Sequence, residues 1–459
     1  MMGRLTDGQG QLFYEHCLEK LVPPDHLARK LAAVLDLGWV SGELSPYYSH
    51  TGRPSVAPEL MIRMLIVGYV FAIRSERQLC SEVQVNLAYR WFCGLGIEDP
   101  IPNHSVFSRA RHERFREADV LRRVFECVVG TCIEKGLVDG VSFSLDASHI
   151  RADVNQVKRV PGDQADALPD RQRASRAVRE YLDSLDREDA DEGKRQPKPP
   201  KALSLTDPQA AWVAKRNTRA FFAYDANYLI DNKLGVIVDA EGTRANRIEE
   251  NRAAIAMVER VAERFDLKPK RLAADTAYGS GKTLRSLTDR GIEPHIPVWD
   301  KSTRNDGTFS RSDFSFDAEH DRYTCPGGKT LKTTRKVHEG RTLLYRASKF
   351  DCDACPLKRR CCPKAPSRRI PRDIDEDVRD HVRALATTEA FERSRNERKK
   401  VEMAFAHLKR ILKLDRLRLR GLSGARDEIL LAATAQNLRK LARYAGPAPP
   451  NRAVGCTAS

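Results

Sequence analysis

The stretch GVSFSLDASHI, residues 140–150, sets Val141, Phe143 and Leu145 in alternation with polar residues and ends its apolar run at Asp146. Residues two apart share one face of a strand, so the pattern reads as a half-buried strand that delivers an acid at its end. The segments that follow restrict the fold further. AFFAYDANYLI and LGVIVDAEG are strand candidates joined by DNK, a polar connection of hairpin length. A helix over about 248–265 and a further strand, RLAAD, come next, and this strand also ends in an acid, Asp275. Strands in this order, broken by a helix, predict an α/β core.

The flanking segments differ in character. Residues 1–135 predict a helical N-terminal domain, because ELMIRMLIVGYVFAI and VLRRVFECVVGTCIEKG keep helical apolar spacing between turn-rich pieces such as HTGRPSVAP. Residues 136–299 hold the first part of the core, interrupted at about 156–205 by a charged insertion. In that insertion Ala177, Val178, Tyr181, Leu182 and Leu185 keep helical spacing, and RQPKPPK reads as a linker. Residues 300–390 are basic, Cys-rich and irregular, 391–445 are strongly helical, and 446–459 read as a disordered tail. GSGKT suggests a phosphate-binding loop, but the glycine required five positions before Gly281 is Thr276, so no nucleotide site follows.

Charge narrows the partners. Lys and Arg number 79 against 63 acids, a net charge of +16 that favours a polyanion, most often nucleic acid, over a generically basic surface. No run of about 18 apolar residues appears, and MMGRLTDGQGQLF lacks the apolar centre of a signal peptide, so the expectation is a cytoplasmic protein without a membrane partner.

Two strand-terminal carboxylates suit a hard divalent cation such as Mg²⁺, which takes oxygen ligands. Each read singly is as well explained as a turn or helix-cap residue. A third acid stands in NERKKVEMAFAHLKR, residues 396–410, which reads as one helix. Val401, Phe405, Leu408 and Leu412 form its apolar stripe; Arg398, Glu402 and Lys409 line one edge, and Lys399, Lys400 and Arg410 point outward. An i,i+4 ion pair of Arg398 with Glu402, worth a few tenths of a kcal/mol, competes with a metal-ligand role for Glu402.

These motifs together resemble the DDE transposases of bacterial insertion sequences, in the group whose last motif is Tyr, two residues, Arg, three residues, Glu, six residues, Lys. Here that motif reads Arg395, Arg398, Glu402, Lys409, so arginine stands where tyrosine is usual. DTAYG matches the second motif with Asp275, Ala277 and Tyr278, and SLDAS matches the first with Asp146. GRPSVAPELMIRMLIVGYVFAIRSERQL, SLTDPQA, FSFDAEHDRYTCPGGKTL and CDACPLKRRCC resemble further blocks, so the likeness runs from about 30 to 440. It implies an RNase H-like catalytic core, a mixed sheet with Asp146 on its first strand, Asp275 on its fourth and Glu402 on a later helix. By the same resemblance the three acids bind two Mg²⁺ (or Mn²⁺) ions that serve DNA cleavage and strand transfer. Arg398 and Lys409 contact the backbone near the scissile phosphate, and Tyr278 packs on a nucleotide. The partners implied are double-stranded DNA, both terminal inverted repeats and target, and further copies of the chain in a homodimer or larger synaptic complex.

Five of the eleven cysteines fall within residues 325–362. Cys325, Cys352, Cys355 and Cys361 or Cys362 offer one C-x₂-C half-site and a split second pair, so structural Zn²⁺ and plain thiols both remain open. Two other functions compete with an active transposase: a domesticated or inactive relative that binds DNA without cutting it, and a zinc-dependent DNA-binding regulator.

Overall fold

The structure, a computed structural model, describes residues 17–49, 51–52, 55–189, 199–214, 218–299 and 304–444. The expected tail at 446–459 and most of the RQPKPPK linker lie outside them. The chain divides into two compact units: Met1–Asp139, Ala147–Glu250 and Glu402–Ser459 form the first, and Gly140–Asp146 with Asn251–Val401 the second. The units thus cross the linear segments read from sequence. Among the described residues no helix is long and apolar enough to cross a membrane.

In the first unit the N-terminal segment is helical. Helix α1 (Pro58–Val70) opens on a proline at a position where the missing N–H costs nothing, and Met61, Ile62, Met64 and Val67 are fully buried. Helices α2 (Glu76–Val85) and α3 (His104–His112) are capped by Ser75 and Asn103, whose side chains accept from Gln78 N and Ser105 N. Helix α4 (Val120–Glu134) follows. The insertion supplies α5 (Arg176–Asp189).

Six strands make the main sheet: β1 (Ser142–Arg151), β2 (Ala211–Val213), β3 (Phe221–Asp231), β4 (Val236–Arg244), β5 (Arg271–Ala273) and β6 (Glu293–His295). Their order is β2-β3-β1-β5-β6, with β4 also on β3. Strands β3 and β4 are the expected hairpin, antiparallel and closed by Gly235 at φ +69° and by Asp231, whose side chain accepts from Lys233 N at 2.9 Å. Strand β5 is parallel to β1 and to β6. A parallel set beside an antiparallel hairpin makes the sheet mixed, as expected. Strand β1 is common to both units and continues five residues past Asp146, where the sequence pattern had ended it.

The first unit closes around a long C-terminal helix, Leu422–Tyr444, buried on all sides from Glu428 to Asn437. A helix apolar all round needs partners on every side, and α1, α4 and β4 supply them. Asn437 gives its amide to Ile237 O (2.7 Å) and accepts from Ile237 N (3.0 Å), so its amide side chain satisfies one residue of β4.

The second unit holds the start of β1, the larger part of α6 (Arg247–Phe265), α7 (Gly281–Thr288), α8 (Glu376–Leu385) and α9 (Glu389–Glu397). Residues 300–370 depart from the irregular expectation. They build most of a five-stranded antiparallel sheet, β7 (Ser315–Asp317), β8 (Arg322–Thr324), β9 (Thr330–His338), β10 (Thr342–Ala347) and β11 (Arg369–Asp373), in the order β11-β10-β9-β8-β7. Only one face is apolar, around Tyr323, Leu331, Tyr345 and Ile370, so charged residues dilute the alternation. Helix α10 (Lys399–Arg410) begins in this unit and passes into the first at Glu402.

Candidate active site

The parallel pairing sets Ser142 against Arg271, Phe143 against Leu272 and Ser144 against Ala273. Two residues beyond the last pair on each segment stand Asp146 and Asp275, so matching parity places both acids just past the paired stretch of two neighbouring parallel segments, strands of this kind lying about 4.8 Å apart. The carboxyl ends of parallel strands are where α/β sheets gather ligand groups. Asp275 also caps the short turn Thr276–Tyr278, accepting from Ala277 N at 2.7 Å. The turn is held from behind by Asn251, which donates to Ala277 O (3.4 Å) and accepts from Thr283 Oγ1 (2.9 Å). The motif's Gly279 is required by crowding, since a Cβ there would lie 2.1 Å from the Pro297 carbonyl oxygen.

Arg398 is drawn to the same place, with Nη1 3.8 Å from Asp146 Oδ2. The stretch 396–410 is not the single helix expected. Helix α9 stops at Glu397, Arg398 is its C-cap, and α10 starts at Lys399. Glu397 anchors this break: it accepts from Ser142 Oγ (3.0 Å) and from Arg271 Nη2 (3.3 Å), two residues that are themselves register partners. Ser394 Oγ lies 2.7 Å from His295 Nδ1, and the His295 ring stacks on Phe391 at 5.3 Å. Arg395, at the tyrosine position, is exposed.

In α10 the predicted stripe is buried, with Val401 and Leu408 at 0 % exposure, Leu412 at 1 % and Phe405 at 6 %. Glu402, Lys399, Lys400 and Arg410 are exposed. Lys409 is engaged within the first unit, where Nζ donates to Ser148 Oγ at 2.6 Å and to the His149 carbonyl at 3.1 Å. Asp146 and Asp275 belong to the second unit and Glu402 to the first. Among the described residues no group of three or more His, Cys, Asp or Glu side chains is gathered closely enough to hold a metal ion.

Tyr278 is 1 % exposed and lines the core with Leu145, Leu272 and Leu287, because the turn after Asp275 directs its ring inward. The cysteines of 325–362 pack as thiols against the apolar face of the small sheet, Cys361 and Cys362 buried and Cys325 and Cys352 beside them. Burial pushes the Cys361 thiol up to about 11, the direction that opposes a thiolate ligand.

Other residues gained roles that no motif announced. Asp207, inside SLTDPQA, is fully buried, accepts from Tyr224 Oη (2.6 Å) and Gly421 N (3.2 Å), and is raised by burial to about 6. Gln209 in the same block accepts from Leu422 N at 3.0 Å, so the block clamps the start of the C-terminal helix. Glu397, Ser394 and His295 belong to no motif read from the sequence.

Two family models match the chain: a transposase domain (DUF772) over residues 16–113 and a transposase DDE domain over residues 324–442. The second contains Arg398, Glu402 and Lys409 and excludes Asp146 and Asp275. No curated protein matches. Among solved structures, a chain of the piggyBac transposase synaptic complex with hairpin DNA is 10 % identical over 91 % of this chain and 78 % of its own, at a TM-score of 0.33. A chain of the Mos1 transposase paired-end complex with left transposon end is 10 % identical over 54 % and 60 %, at 0.17. Scores this low leave the fold to be read from the sheet itself. Residues 16–113 are thus similar to a transposase domain, and residues 324–442 to a transposase domain of the DDE type.

Proposed function

We propose that this transposase binds the terminal repeats of its element, cleaves the DNA there and joins the freed 3′-hydroxyls to target DNA, with Asp146, Asp275 and Glu402 as the catalytic carboxylates. The observation that carries the reading is the shared register of Asp146 and Asp275, each two residues past the last pair of two neighbouring parallel strands, in a chain whose match to a DDE domain contains Glu402. An all-carboxylate donor set fits Mg²⁺ or Mn²⁺ and suits softer metals less well. When bound, such ions supply an activated attacking oxygen and charge neutralisation on the leaving one.

The chain's own residues provide positioning. Arg398 brings a guanidinium beside Asp146, where it can hold a phosphate oxygen as a bidentate donor. Glu397 fixes the helix break that presents Arg398, by its bonds to Ser142 and Arg271. Lys409 holds α10 to β1 through Ser148 and His149, which orients the helix carrying Glu402. The exposed Lys399, Lys400 and Arg410 contact DNA phosphates, whose neutralisation makes binding salt-dependent. The substrate is double-stranded DNA in the cytoplasm, and two element ends are joined by a homodimer or larger assembly.

The test is Mg²⁺-dependent cleavage and strand transfer on DNA carrying the flanking inverted repeats, wild type against Glu402→Gln. The variant should bind DNA as wild type does and cut at least about 100-fold more slowly. Cutting at the wild-type rate by a folded, DNA-bound variant removes Glu402 from the site. A wild-type protein that binds the repeats and never cuts them is a DNA-binding relative instead.

A further inference from the structure

A cleft of about 280 Å³ opens in the first unit where the end of α1, the start of α2, α3 and residues 418–428 meet. This volume is at the small end of ligand pockets, which begin at roughly 300 Å³. Its deepest polar groups are two guanidiniums. Arg111 is 3 % exposed and pairs with Glu76 through Nη2; the Arg74 side chain is 6 % exposed and pairs with Glu428. Glu428 is already shared, accepting from Arg418 N (2.6 Å) and Leu419 N (2.7 Å). Arg111 Nε and Nη1 and Arg74 Nε are buried without an acceptor. Charged donors left so are costly, and native structures satisfy them with a partner.

Two further arginines, Arg77 and Arg418, stand exposed on the lining, giving four guanidiniums against two carboxylates. Helix α2 starts in the same wall. Ser75 caps Gln78 N, the other first-turn amides have no intrahelical acceptor, and the positive end of the dipole favours an anion. Leu65, Ile73 and Leu79 provide an apolar side. Unsatisfied buried arginine, a helix start and an apolar wall of this size match a phosphate group that carries one planar ring.

We propose that this cleft is a nucleotide-phosphate site, separate from the carboxylates, which takes a phosphate monoester with its attached nucleoside. Two sources share that chemistry: a free mononucleotide and the 5′-phosphorylated end of a DNA strand. The proposal rests on the transposase reading only for the second source.

Calorimetric titration of the full chain with inorganic phosphate and with dAMP, followed by competition with matched 5′-phosphate and 5′-hydroxyl oligonucleotides, tests it. Phosphate and dAMP should compete for one site, and dAMP should bind more tightly through the apolar wall. Arg77→Ala with Arg418→Ala should weaken dAMP at least about 10-fold, each charge-assisted bond being worth about 1.5–3 kcal/mol. Arg111→Lys keeps the buried charge and should weaken it as well, because the planar fork is lost. Displacement of dAMP only by the 5′-phosphorylated oligonucleotide assigns the strand end. Displacement by neither oligonucleotide assigns the free nucleotide. Absence of dAMP binding, or binding unchanged in the Arg77/Arg418 double variant, overturns the site. None of these readouts requires cleavage, so a negative result here leaves the Glu402 test untouched.

Discussion

Glu376 is the acid whose removal should most disturb the second unit. Its side chain has no exposure, and its carboxylate meets Arg311 Nη1 at 2.7 Å, Arg379 Nη1 at 2.7 Å and Arg383 Nη1 at 2.8 Å. Burial works to raise this carboxyl, but Arg379 and Arg311 outweigh it and hold the group below its ordinary 4.5. An ion pair at about 4 Å in an effective dielectric of 20 gains about 4 kcal/mol before desolvation, and deleting one member of a buried pair costs about 3–5 kcal/mol because its partners stay behind unpaired. Glu376→Ala should therefore lower the local stability of α8 by about 3–5 kcal/mol, seen as a 10²- to 10³-fold or larger loss of amide protection in peptides spanning 376–385. Glu376→Gln separates charge from shape. A depressed folded-state pKa contributes stability that is full above the unfolded value and disappears as pH falls through the folded one. The gap between wild type and Glu376→Gln should thus be constant near neutral pH and close as pH drops below about 4.5. Protection unchanged in Glu376→Ala, or a gap that ignores pH across that window, would refute the argument that the carboxylate's charge holds α8.

The sign reverses at Asp207. Burial raises this carboxyl to about 6, so its contribution is full below the unfolded value and is lost as pH rises through about 6. Across pH 4 to 7 the urea midpoint of Asp207→Asn should gain on wild type by the equivalent of roughly 2–3 kcal/mol; a gain in the opposite direction would sink the assignment. Lys409→Met should loosen α10 by about 1–2 kcal/mol through loss of the bonds to Ser148 and His149. It should slow cleavage while leaving DNA affinity within about threefold. A large affinity loss with unchanged amide protection would make Lys409 a DNA contact rather than a positioning residue.

Much of the sheet was legible because strand signals are local. The paired runs around DNK close as a hairpin over Gly235, as their spacing indicated; the run at 140–146 does form a strand, but Val141 precedes it and is exposed while Ser142 and Ser144 are buried beside Phe143 and Leu145. The small sheet was illegible for a physical reason. Strand β9 buries only Leu331 fully and exposes its lysines and arginine, so period-two patterning is nearly absent; the better clues were the turn glycines Gly328 and Gly340, both at φ +73°. Helical periodicity over 396–410 located the buried stripe yet concealed the break at Arg398, because one residue of altered geometry leaves the spacing of apolar residues almost intact.

The sequence by itself determined the order of the elements, the strand that carries Asp146 and the one that leads into Asp275, and the apolar face of the helix that carries Glu402. Each of these depends on residues within one or two turns or strand steps of each other. Tertiary structure alone decided partners. Lys409 meets Ser148 across 261 residues, Glu397 meets Ser142 across 255, and Tyr278, adjacent to a motif acid, turns into the core. A charge or ring is assigned to surface, core or ion pair by what distant segments place beside it. That desolvation and pairing balance is set by packing, and no local pattern of residues encodes it.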